Sequence, residues 1–326
     1  MSPIKNWFPY KLTNNEGEWM CHWLNSFKKP FVEPFFDETI IKLKSAVSKQ
    51  LLFSSASEMG MLEEWAGRVK SIKPAAFIFH VSRCGSTLAA QLLAKSANNI
   101  VLSEVPFFDN LLRLPYRDNR FSENDTSDFL KAAIKFYGQK KTGHEQHLFI
   151  KTDSWHMFFY KQLRQLYPKV PFVLMYRRPN EVFDSQKKLP GMHAVPGLIE
   201  SELFGFDDSK IDIRKHDSYL SMVLERYFTQ YHEIVDTDKN TLLINYDEGP
   251  MAILKKIAAF TKMPVSEQYL TDIEERSRYH SKKPNEVFSE VIQQQVPAFL
   301  DKAMELYCQL EEKRIAFYNR EMTESD

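Results

Sequence analysis

Residues 75–93 read AAFIFHVSRCGSTLAAQLL. An apolar run, AAFIFHV, stops at the polar turn Ser82-Arg83-Cys84-Gly85, and a helix-favouring run starts at Ser86. A strand, a tight turn and a helix in immediate succession make an anion cradle. The backbone N–H groups of the turn and of the first helical turn converge on one spot, and the helix dipole adds partial positive charge there. The expected cradle is Ser82, Arg83, Cys84, Gly85, Ser86, Thr87 and Leu88, and its expected ligand carries a phosphate or sulfate. Gly85 permits the turn. Cys84 reads as small filler rather than a reactive thiol, and His80 as a satisfied core histidine.

The loop also differs from a nucleotide-hydrolase loop in one informative place. A G-x-x-x-x-G-K-[ST] motif aligned on Gly85 puts His80 at the first glycine, Ser86 at the lysine and Thr87 at the final hydroxyl. The lysine that reaches the outer phosphates is missing, which disfavours ATP or GTP hydrolysis. Arg83 is the replacement cation.

At 326 residues the chain is long enough for one large α/β domain with an extension. Hydrophobic residues make up 43% and charged residues 26%, the composition of an ordinary globular protein. Lys plus Arg and Asp plus Glu both number 43, so the formal net charge is zero. That balance argues against a general nucleic-acid binder. The three cysteines, Cys21, Cys84 and Cys308, suggest neither a disulfide framework nor a metal site. With no signal-like N-terminus and no run long enough to span a membrane, a cytoplasmic location is expected. Oligomeric state is not readable from the sequence.

From Ala75 onward strand-like and helix-like runs alternate. Strands are expected at 75–81, 99–103, 147–151, 171–176 and 241–245. Helices are expected near 86–96, 126–138, 156–167, 217–236 and 249–262. FIFHV, FVLMY and LLIN are continuous apolar runs, as strands covered on both faces require. The fold class that follows is α/β, with a parallel sheet flanked by helices and ligands at the carboxyl ends of the strands. Residues 73–326 form this domain. Residues 1–72 read as an aromatic-rich extension, helical near 38–48 and 57–70 and without a sheet of its own; it either packs on the domain or covers the site. Residues 187–213 form a loop long enough to be functional, and 288–320 one or two long helices.

Three motifs fall at the expected binding edge. Arg83-Cys84-Gly85-Ser86-Thr87 follows the first strand; Arg177-Arg178-Pro179 follows the fourth, with Ser185 eight positions after Arg177; and Tyr246-Asp247 ends the last strand. Together they resemble the sulfotransferases that use 3′-phosphoadenosine 5′-phosphosulfate (PAPS), whose motifs are [RK]-S-G-[ST]-T and R-[DN]-P with a later serine. The resemblance spans about residues 75–265. It implies a P-loop-like sulfotransferase fold and PAPS as donor, leaving 3′-phosphoadenosine 5′-phosphate (PAP), with no metal required. It also implies that Arg83, Gly85, Ser86 and Thr87 hold the 5′-phosphosulfate and that Arg177 and Ser185 hold the 3′-phosphate, with Tyr246 beside them. Three departures stand out: Arg178 replaces Asp or Asn, Cys84 replaces Ser, and the glycine-rich C-terminal loop is absent. In its place ERSRYHSKKPN, residues 275–285, offers Arg278, Ser281 and Lys282 to the 3′-phosphate.

The resemblance further implies in-line transfer of sulfonate to an acceptor hydroxyl. Glu104, just past the second strand, matches the general base of the tyrosyl-protein and carbohydrate branches. Lys151, ending the third, matches the lysine near the sulfonate bridge, and with Arg83 it completes the expected catalytic set. His156 and His193 are rival bases or acceptor-binding residues. The neutral charge favours a small or apolar acceptor. Two other readings stay open: a P-loop kinase or nucleotide phosphotransferase, and a nucleotide-binding relative without turnover.

Overall fold

The computed structural model describes residues 4–48, 55–277 and 296–323. Arg278, Ser281 and Lys282 lie outside them. Eight strands are described: β1 (Trp7–Asn15), β2 (Glu18–Asn25), β3 (Ser55–Glu58), β4 (Pro74–His80), β5 (Asn99–Ser103), β6 (His147–Lys151), β7 (Phe172–Tyr176) and β8 (Thr241–Asn245). The helices are α1 (Phe36–Ser48), α2 (Gly60–Ala66), α3 (Ser86–Ala94), α4 (Pro106–Leu112), α5 (Leu114–Arg117), α6 (Glu123–Tyr137), α7 (Tyr160–Leu166), α8 (Pro179–Lys188), α9 (His216–Thr237), α10 (Pro250–Phe260), α11 (Glu267–Ser277) and α12 (Asp301–Thr323).

Five strands form one sheet in the order β5-β6-β4-β7-β8, every pair parallel. Every residue of β7 and β8 is buried, because helices cover both faces and leave no side for polar residues. The register levels the strand ends: Ser103 lies beside Lys151, and Tyr176 beside Asn245. The loops that leave these ends therefore converge. β4 is central, so the loop after it has β5 and β6 on one side and β7 and β8 on the other.

Ser122 begins α6 with a reciprocal cap: its Oγ accepts from Asp125 N–H at 3.3 Å, and its own N–H donates to the Asp125 carboxylate at 2.8 Å. The 187–213 segment contains short 3₁₀ turns at Met192–Ala194, Ser201–Phe204 and Asp208–Lys210. Among the described residues no helix is long and apolar enough to cross a membrane.

The N-terminal region departs from the sequence expectation. It does carry a sheet, the antiparallel meander β1-β2-β3, and residues 57 and 58, expected to begin a helix, end β3 instead. Glu16 and Gly17, with φ of 53° and 94°, form the two-residue turn between β1 and β2. Positive φ at both central residues matches the twist of the flanking strands. The alternation was obscured by Pro9, which sits at a register shift on an edge strand, where a missing N–H is tolerated. Phe8 packs edge-on against Phe31 and Phe36, at 5.6 and 5.7 Å between ring centroids, and against Tyr137 of α6 at 5.2 Å. Phe8→Ala removes the centre of this cluster. It is expected to cost about 3–5 kcal/mol, read as a lowered midpoint in urea denaturation.

Candidate functional site

β4 must end where its loop can leave the sheet, and the backbone there is left-handed at Ser82 (φ 65°), Arg83 (51°) and Gly85 (76°). Non-glycine residues rarely occupy this region, and doing so costs energy that surrounding contacts must offset. Those contacts are present. Ser82 N–H donates to His80 Nδ1 at 3.1 Å, and His80 Nε2 is 2.9 Å from the Thr152 carbonyl. His80 is buried with both nitrogens engaged, and burial, reinforced by the Lys151 charge, pushes its pKa down. A Cβ on Gly85 would stand 2.8 Å from the Tyr246 ring, so only glycine admits this approach. The Cys84 thiol is fully buried and 3.4 Å from the Met175 carbonyl. Burial pushes it up to about 11, which leaves it unreactive near neutral pH.

Around this loop opens a cavity of about 790 Å³. Ser82, Arg83, Gly85, Ser86, Thr87 and Leu88 line its floor. On the β7–β8 side stand Arg177, Ser185 and Tyr246. Arg177 is buried; its Nε donates to Glu181 at 2.8 Å, its Nη1 to the Arg83 carbonyl at 3.4 Å, and its guanidinium stacks 4.2 Å from the Tyr246 ring centroid. Arg177 thus braces the loop that it was expected to complement. Glu181 was not anticipated, although its place four residues after Arg177, on the first turn of α8, was a usable signal. Arg178 points elsewhere, half-exposed and 3.4 Å from Asp247.

The β5–β6 side is acidic. Glu104, Asp109 and Asp153 line it, and the N-terminal region adds Phe35 and Asp37. Glu104 has φ 55° and bonds Lys151 through its carboxylate. Its Oε1 is also 3.4 Å from His80 Nε2. Burial opposes ionisation of Glu104, but the Lys151 ammonium and His80 outweigh it and hold the carboxyl well below the usual carboxylate range. Lys151 is 0% exposed and does not line the cavity; it meets the site through Glu104. The sequence alone left Lys151 open to solvent at a strand end or free to reach a ligand. The structure gives it neither position, because β6 lies inside the sheet and Glu104 bonds its ammonium.

His156 is not at the cavity surface. It is buried in a 3₁₀ turn, its Nδ1 accepting from Asp153 N–H at 3.3 Å and its Nε2 3.0 Å from Asp109. Asp109 also accepts from Trp155 Nε1 at 2.6 Å and pairs with Arg113 at 2.9 Å. Asp109, Asp153 and His156 bring potential ligand atoms within 4.8 Å of one another. Yet Nδ1 of His156 is taken by a backbone N–H, so Nε2 carries the proton toward Asp109. His193 does line the cavity, but it is 2% exposed and both its nitrogens are bonded.

No family model and no curated protein matches the chain. Among solved structures, the sulfotransferase domain from the curacin biosynthetic pathway is similar, with a TM-score of 0.50 and 13% identity over 74% of this chain and 99% of that domain. A sulfotransferase of Mycobacterium avium is similar at a TM-score of 0.46 and 13% identity, over 77% of this chain and 79% of its own. The sulfotransferase domain of a Synechococcus olefin synthase gives 0.44 and 16%, over 73% and 96%. The helix-flanked parallel sheet of this protein is the sulfotransferase fold.

The Glu104–Lys151 pair makes stability depend on pH. Because the folded-state pKa of Glu104 is depressed, its contribution is fully present above the unfolded value of about 4.3 and is lost as pH falls through the folded value. The gap in melting temperature between the wild type and Glu104→Gln is therefore expected to be widest near neutral pH and to narrow in acid. A gap that is constant from pH 7 down to about 3 contradicts this electrostatic account.

Proposed function

We propose that this protein is a sulfotransferase that moves a sulfonate from PAPS to an acceptor hydroxyl. One observation carries the reading: a single cavity joins a glycine-bearing anion loop and a buried arginine at one end to an ionised, ion-paired glutamate at the other. The fold likeness supports it. The residues fit the donor: Gly85, without a Cβ, lets the Tyr246 ring close against the loop, and the planar fork of Arg177 suits bidentate contact with phosphate. Ser82, Arg83, Gly85, Ser86, Thr87 and Leu88 would hold the phosphosulfate, and Arg177, Ser185 and Tyr246 the 3′-phosphate; Cys84, fully buried and off the cavity wall, supports the loop from beneath. When bound, PAPS supplies a sulfonate on a phosphate leaving group, chemistry that needs no metal.

The chain's own residues then divide the remaining work. Glu104 accepts the proton of the acceptor hydroxyl at its carboxylate. Lys151 keeps that carboxylate ionised and aimed. Arg83 supplies positive charge over the loop, an effect worth roughly 2–4 kcal/mol per contact in a dry site. Residues 1–72 act as an extension of the main domain, 73–326, and contribute Phe35 and Asp37 to the acceptor end. The half-buried Phe35 and the buried Trp155 there favour a small or apolar acceptor.

Thermal stabilisation by PAP, compared with ATP-Mg²⁺ and with the analogue lacking the 3′-phosphate, tests the donor. PAP at 100 times its Kd is expected to add about 2.7 kcal/mol, selectively, and the effect is expected to disappear in Arg177→Ala. Stabilisation by ATP-Mg²⁺ alone replaces this reading with a nucleotide phosphotransferase. In a PAPS-dependent assay, Glu104→Gln is expected to lose about two or more orders of magnitude in kcat while keeping PAP stabilisation. Near-normal turnover removes Glu104 from the mechanism, and PAP binding without any turnover in the wild type favours a non-catalytic relative.

A further inference from the structure

α8 carries a buried polar side chain to which the proposed reaction gives no task. Gln186 is 1% exposed, and its amide bonds three residues on two other segments. Its Oε1 accepts from Gly191 N–H at 2.7 Å. Its Nε2 donates to Ser82 Oγ, in the anion loop, at 2.9 Å and meets Nε2 of His193 at 3.1 Å. The Gly191 N–H can only donate, so it fixes which end of the amide is oxygen. The NH₂ end therefore faces His193, whose Nε2 must be the acceptor. The ring proton then sits on Nδ1, which donates to Ser154 Oγ at 3.2 Å; Ser154 in turn bonds Tyr227 at 3.0 Å. A Cβ on Gly191 would stand 2.9 Å from His193 Cε1, so this packing also needs a glycine.

The chain of contacts runs from the anion loop, through Gln186, to Gly191, Met192 and His193, all three of which line the cavity. Burial, helped by the charges of His80 and Arg83 and opposed by Glu104, pushes His193 down to about 3. Its other neighbours, Trp155 and Tyr227, face it with their rings. His193 thus stays neutral, and a single hydrogen-bond arrangement persists across the working pH range.

We propose that Gln186 is a positioning residue that couples the donor loop to the acceptor-facing wall at 191–193. An anion that orders Ser82 orders the wall, and a disturbed wall loosens the loop. The names donor and acceptor rest on the sulfotransferase reading; the mechanical link does not.

Amide hydrogen exchange and ¹⁵N NMR of the full chain test the link. The reporters are the N–H groups of Ala194 and Val195, bonded to the carbonyls of Gly191 at 3.0 Å and Met192 at 3.2 Å. Ser82→Ala, in the other segment, is expected to speed both about fivefold, the scale of one lost hydrogen bond, as is Gln186→Ala. Gln186→Glu is expected to draw the His193 proton to Nε2 and raise its pKa, a change that loss of helix stability alone does not produce. PAP is expected to slow the same amides in the wild type and not in Gln186→Ala. If Ser82→Ala leaves both amides unchanged, or Gln186→Glu leaves the His193 tautomer on Nδ1, the coupling is wrong, whatever PAP does to the melting temperature. If both respond and PAP binds nowhere, the coupling stands and the sulfotransferase reading falls.

Discussion

The contact between Gly85 and the Tyr246 ring is the constraint on which the site depends. It requires a residue without Cβ at a positive φ, and it fixes the loop against the end of β8. Arg177 then stacks on the same ring while donating to the Arg83 carbonyl. Three segments far apart in sequence thereby hold a left-handed backbone that none would adopt alone. The strain in Ser82 and Arg83 is offset by this framework together with the Ser82–His80–Thr152 hydrogen bonds.

The polarity of the cavity follows from strand order. With β4 central, whatever follows β5 and β6 falls on one side of the anion loop, and whatever follows β7 and β8 falls on the other. Glu104, Asp109 and Asp153 gather on the first side; Arg177 and Tyr246 gather on the second. A half-buried carboxylate on the first side is kept ionised by a fully buried lysine. Burying such a pair is expensive, and splitting it leaves an uncompensated charge. The two residues therefore act as one unit.

The β5–β6 end of the cavity is the more composite structure. It draws Phe35 and Asp37 from the N-terminal region, Trp155 from the turn after β6 and Met192 from the segment after α8. Its wall is tied to the anion loop by one amide side chain. A pocket assembled in this way can change its occupant by loop variation while the sheet and the anion loop stay as they are.

The sequence by itself determined the parallel sheet and the anion loop. Continuous apolar runs mark strands buried on both faces, and a strand-turn-glycine-helix succession is a local signal; β5, β6 and β8 fall on the expected residues. It also placed Arg177, Ser185, Tyr246 and Glu104 at the carboxyl edge of the sheet, where they line one cavity, because strand ends can be counted along the chain. What each side chain does there was a tertiary decision. Lys151 looked like a group open to ligand and became a buried counter-charge, since β6 ended up inside the sheet beside Glu104. His156 looked like a candidate base and became a core link to Asp109. The N-terminal meander was hidden because a proline and a register shift broke its alternation. Gln186 carried no mark beyond its helix, since its partners lie on other segments. Periodicity records which face of an element is covered; only folding decides which neighbour covers it, and the pairing of buried charges and amides depends on that neighbour.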